Sequence, residues 1–195
     1  MKLLVSTWIV CVAFSQSALV AGETAPQPTE VKTKLEAFAA KTGVVIILGF
    51  TKIGTISGQY GSSVTVTAKE LTDASTGTRQ YGITIEVAEG GRLERERTSY
   101  IDYDEIDSLL KGIDYIAKID KKVTRLADFQ AEYRTKGELE VSTFSSQKGG
   151  EIALAVQSGR VASATAYFNI AQLAELRKLI AAAKAKLETL LTPTP

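Results

Sequence analysis

The chain enters a helix twice through nearly the same passage, and this repeat limits its fold more than any other feature. Tyr100-Ile101-Asp102-Tyr103-Asp104-Glu105-Ile106 recurs as Tyr167-Phe168-Asn169-Ile170-Ala171-Gln172-Leu173. Leu109, Lys111 and Ile113 carry the register onto Leu176, Lys178 and Ile180, and upstream Ile83-Thr84-Ile85-Glu86-Val87 matches Ile152-Ala153-Leu154-Ala155-Val156. A recurring order of elements implies similar units that bury their apolar faces together.

Alternating patterns and turn residues give the order within each unit. Strands are expected at about 53–60, 63–71, 79–88 and 92–101, then a helix from Tyr103 through Ile106, Leu109, Leu110, Ile113, Ile116 and Ala117. After a basic linker, Lys118 to Arg125, strands are expected near 126–135, 137–145, 151–158 and 160–168, and a last helix from about Ile170 to Leu191. The expected fold is therefore α+β. Two β-β-β-β-α repeats, at about 53–118 and 126–191, form antiparallel sheets related by a pseudo-twofold. Two long helices pack on the apolar sheet faces, with helix–helix contact left open. An N-terminal helix and strand precede them. Val31, Leu35, Phe38 and Ala39 recur at helical spacing before Gly43, and Val44-Val45-Ile46-Ile47-Leu48 is a β-branched run expected to be buried, adding to one sheet or its edge.

The first residues have the layout of a secretory signal peptide: Lys2, an apolar run from Leu3 to Phe14, then a small-residue exit ending at Ala21. Residues 1–21 are the expected leader, cleaved after Ala21 or Gly22, and 22–30 with two prolines a flexible lead-in. Residues 31–191 are then a single domain and 192–195 a disordered tail. This places the mature chain in the periplasm or outside the cell. The apolar run is too short to span a bilayer, and no later run is long enough.

Cleavage would remove the only Cys, Met and Trp from a chain that has no His. Such a protein has no disulfide, thiol nucleophile, imidazole base or soft-metal ligand, which excludes Ser-His-Asp and Cys-His triads and ordinary zinc, copper, haem and iron–sulfur sites. Losing Lys2 also turns the formal charge of +1 neutral, which counts against a dedicated nucleic-acid binder.

Asp102, Asp104, Glu105 and Asp107 form an acidic cluster that invites an acid–base or calcium reading. The calcium spacing fails, because Asp107 stands where the loop glycine belongs. A capping box accounts for the pattern: Asp102 as N-cap, Glu105 as return partner, Ile101 and Ile106 as staple. Asn169, Gln172, Phe168 and Leu173 repeat that logic. No catalytic, cofactor-binding or metal residue is assigned, and no cofactor is expected. Arg92 to Arg97 alternates charge as a solvated strand with cross-strand ion pairs would. Lys118, Lys121, Lys122 and Arg125 follow a helix C-terminus, where cations suit the dipole. Leu173, Leu176, Ile180, Ala183, Leu187 and Leu190 make a narrow seam. It packs on the other helix or on its own sheet or, at its far end, provides a homodimer contact.

A duplicated strand-strand-strand-strand-helix unit over about residues 53–191 is similar to the Whirly and Pur-alpha proteins and to the transcriptional-coactivator dimers that bind single-stranded DNA. That resemblance implies a basic, aromatic-bearing sheet, for which Tyr60, Tyr81, Tyr100, Tyr133 and Tyr167 are the candidates. The Tyr100–Asp107 stretch also looks like exported bacterial proteins, which implies no activity. The expectation is a non-enzymatic exported binding or interaction module for a protein or small ligand. The alternatives are a single-stranded nucleic-acid or polyanion binder and a carboxylate-based hydrolase.

Overall fold

Burial alternates residue by residue over 63–68 and 164–168, as a pleated chain with one face toward a core requires, whereas 82–85 and 154–156 are buried on consecutive residues. The structure is a computed structural model that describes residues 33–91, 94–145 and 152–192, all within one unit, Val31–Pro195. A short helix, α1 (Lys34–Ala39), leads into four strands, β1 (Ile46–Ser57), β2 (Ser63–Asp73), β3 (Arg79–Glu89) and β4 (Arg95–Asp102), and then α2 (Ile106–Ile116). The second unit follows with β5 (Gln130–Arg134), β6 (Leu139–Ser145), β7 (Ile152–Ser158), β8 (Ala164–Phe168) and α3 (Ile170–Leu191). Each unit is a four-stranded antiparallel meander, in the orders β1-β2-β3-β4 and β5-β6-β7-β8. The α+β class and the two similar sheets therefore stand as the repeat implies, and α3 keeps its expected bounds. The leader and lead-in expected over 1–30 lie outside the described residues. So do Arg92 and Leu93 and the end of the tail; Thr192 closes α3 by donating its N–H to Glu188 O at 3.1 Å.

The helices are exchanged between the units. α3 lies across β1, β2 and β3 of the first sheet, and α2 lies across β5 and β6 of the second. Val64, Val66, Ala68, Ile83, Ile85 and Ile101 share one buried cluster with Leu173, Leu176, Ile180 and Leu187, and the same cluster takes in α2 and the second sheet. The two helices run antiparallel, with Arg177 against Asp114 and Lys184 against Asp107. The exchange accounts for their unequal lengths. The 22 residues of α3 extend about 33 Å and cover long strands, whereas the 11 residues of α2 cover short ones.

Side-chain size is exchanged as well. A Cβ on Gly54 of β1 would lie 2.8 Å from Leu179 of α3, and one on Gly112 of α2 would lie 2.4 Å from the Tyr133 ring on β5. By strand register and the helix match, Gly54 corresponds to Tyr133 and Gly112 to Leu179. The first unit leaves a gap in the strand for a helix side chain; the second leaves a gap in the helix for a strand side chain. Close packing demands one or the other.

Two details differ from the sequence pattern. Ile83 pairs with Ile101 and Leu154 with Phe168, so Ile83 corresponds to Leu154 and not to Ile152. A two-residue slip keeps every side chain on its face, so hydrophobic alternation does not reveal it. The strand read at 44–48 and the repeat strand read at 53–60 run together as β1, with a bulge between Lys52 and Gly54.

Candidate functional site

The four carboxylates of the acidic cluster each bond to a partner outside the cluster. Asp102 is buried and does not cap its own helix: its two oxygens accept from the backbone N–H groups of Leu35 at 2.9 Å and Lys34 at 3.0 Å, holding the start of α1. The expected first capping box is thus corrected. α1 comes down on the end of β4, and its free N–H groups take the carboxylate. Asn169 and Gln172 do form the box expected of them, at 2.9 and 2.8 Å. Glu105 turns instead to the other unit, accepting Lys136 N at 2.8 Å in the β5–β6 hairpin. Gln172 does the same in reverse, donating Nε2 to Ser57 O at 2.6 Å beside the β1–β2 hairpin. Asp104 pairs with Lys34 at 2.6 Å and Asp107 with Lys184 at 2.7 Å. The hydrogen bond from Lys34 holds the Asp104 carboxyl below its usual range. Among the described residues no three His, Cys, Asp or Glu side chains gather as a metal site would need.

The remaining sequence candidates are spread over separate surfaces. Tyr60 stands on a turn, exposed, edge-on to Tyr167 with ring centroids 6.2 Å apart. Tyr100 lies beneath α1 with the Lys69 ammonium 5.6 Å from its ring, and Tyr133 is wedged against α2, its hydroxyl 2.8 Å from that of Ser108. Arg95 falls opposite Glu89 in the β3–β4 register. In the basic linker, Asp120 accepts Lys122 N at 2.8 Å and closes a short turn. The α3 seam is buried within the chain as far as Leu187.

What the sequence pattern missed is β1. The run Val44–Leu48 leads into it and is expected to be buried, yet Val45 is 69% exposed, Ile47 56% and Leu48 48%, and Phe50 just beyond the run is 68% exposed. β1 is an edge strand, paired with β2 alone among the described residues. Val45 O accepts Ala74 N at 3.0 Å, so by the alternation of an antiparallel ladder Ile47, Gly49 and Thr51 direct their backbone groups to β2. Ile46, Leu48, Phe50 and Lys52 direct theirs outward.

Each face of this edge has apolar support. On one, Ile46 packs with Leu35, Phe38 and Leu71, while Leu48 and Phe50 extend beyond α1. On the other, Gly49, Thr51 and Ala68 line a groove of about 170 Å³ with Leu187 and Leu190 of α3, and the charged Lys69, Glu70 and Lys186 line it as well. That volume is below the usual range for small-molecule pockets and suits one or two side chains. Leu190, in the last turn of α3, is itself 46% exposed.

Natural edges are blunted by charge, proline or bulges. Here Lys52 and the bulge stand at one end, and Val44 to Phe50 contains none of these devices. No described helix is long and apolar enough to cross a membrane. No protein-family model matches the chain, and no curated protein matches its sequence.

Proposed function

We propose that this chain is a non-enzymatic, exported interaction module that offers the edge of β1 to a strand of another polypeptide. The observation that carries the reading is the pairing of outward backbone groups with exposed apolar side chains along Ile46–Lys52. Strand addition satisfies both at once, through main-chain hydrogen bonds and side-chain contacts on alternate residues. The engagement of Asp102, Asp104, Glu105 and Asp107 in separate structural contacts supports the non-enzymatic part. The leader pattern of residues 1–21 supports export.

A photo-crosslinking amino acid at Phe50, expressed in the native host, tests the edge; the same probe at exposed Lys178 on α3 is the control. An adduct formed from position 50 and not from 178, attached to a strand-forming segment, is the expected result. No adduct, or equal adducts from both sites, would sink the reading. Recovery of the chain only from the cytoplasmic fraction of its host, still beginning at Met1, would remove the export.

A further inference from the structure

We propose that the strand laid against β1 is β1 of a second copy, running antiparallel about a twofold axis near Leu48. This rests on the reading of β1 as the interaction element and names its occupant. Pairing about Leu48 sets Ile46 opposite Phe50 of the second copy, on the face that also carries Leu48, an aromatic and β-branched combination that cross-strand pairs favour.

Charge favours a like strand. Ile46 to Thr51 is uncharged, so it gives a charged partner nothing to pair with and accepts an equally neutral one. Lys52 is the only charge in β1. Antiparallel pairing sends the two Lys52 side chains to opposite ends, whereas parallel pairing in register would set them together.

Area agrees. Val44, Val45, Ile47, Leu48 and Phe50, with Leu190 beside them, expose roughly 600 Å² on each copy, and the two together approach the lower end of stable protein interfaces when wholly covered. The chain's own segment 22–30 is a poorer occupant, because Pro26 and Pro28 cannot donate to the ladder.

Light scattering after size exclusion, on protein purified from its host at tens of micromolar, reads the copy number. The expected result is two copies for the wild type and one for Leu48→Pro, with the thermal unfolding midpoint little changed. Leu48 makes no ladder bond to β2, so proline there removes the outward N–H and leaves the β1–β2 hydrogen bonds in place, at the cost of a fixed φ and a half-buried side chain. Phe50→Glu, which leaves the backbone intact, is the second variant and is expected to be single as well. A single-copy wild type, or a dimer that survives both variants, overturns the proposal. If the wild type is single but the Phe50 probe captures a different chain, the second copy fails and the interaction edge stands. If the probe is silent too, both fail.

Discussion

Gly112→Ala distinguishes the exchanged helices from the simpler arrangement in which each helix covers its own sheet. Gly112 lies inside α2, where replacing glycine by alanine ordinarily stabilises a helix by about 1 kcal/mol. Here the new Cβ would meet the Tyr133 ring at 2.4 Å, close to Cγ and Cδ2, the base of the ring rather than its mobile end. Tyr133 is further held by the hydrogen bond between its hydroxyl and Ser108. Forcing a methyl into a filled site costs about 1–3 kcal/mol, which outweighs the helix gain. The 2.4 Å approach puts the cost at the upper end of that range, so the expected result is a net loss of about 1–2 kcal/mol in urea unfolding with an unchanged m-value. Tyr133→Leu in the same background should restore most of it, giving a coupling above about 1 kcal/mol in the double-mutant cycle. A stabilising Gly112→Ala, or two substitutions that simply add, would refute the contact and with it the placement of α2 on the second sheet.

Further outcomes follow from individual contacts. Ile106→Ala and Leu173→Ala, both at fully buried positions of the shared core, should each cost about 2–4 kcal/mol; near-neutral chemical unfolding curves would contradict that packing. Asp102→Asn should cost about 1–3 kcal/mol, because an amide leaves one of the two α1 N–H groups facing a donor. A silent substitution would return Asp102 to a simple cap of the kind Asn169 provides. Asp73 is held down to about 2, first by the Ser75 hydroxyl, against its burial, and then by Lys41 and the N–H groups of Ser75 and Thr76. Its contribution is therefore fully present above the ordinary carboxylate range and lost as pH falls through that range toward 2. The stability gap between wild type and Asp73→Asn should be constant at neutral pH and narrow between pH 4 and 2; a pH-independent gap would contradict this.

The repeat was legible because the Tyr-x-Asp/Asn entry and the Leu109/Leu176 register are local patterns. Helical spacing marked which residues of α2 and α3 are buried. It carries no information on what covers them, so the exchange of helices between sheets was not legible. The Gly112–Tyr133 and Gly54–Leu179 contacts join residues far apart in sequence. Asp102 and Glu105 satisfy a capping-box spacing whether or not α1 arrives to take the carboxylate, and only the tertiary fold brings it there. The Val44–Leu48 run had the composition of a buried strand. Composition does not distinguish a strand with neighbours on both sides from an edge that lacks one, and that missing neighbour became the candidate site.

Residue-level hydrogen exchange at Ile47 and Leu48 tests the role of the β1 edge most directly, using protein purified from its host without separation from whatever it binds. The Ile47 N–H faces β2 and is slow in any case. The Leu48 N–H faces outward and is slow only when another strand accepts from it. Comparable protection at both amides is the expected result. A protected Ile47 beside a Leu48 that exchanges at the rate of a free amide would contradict the claim that this edge is an interaction surface.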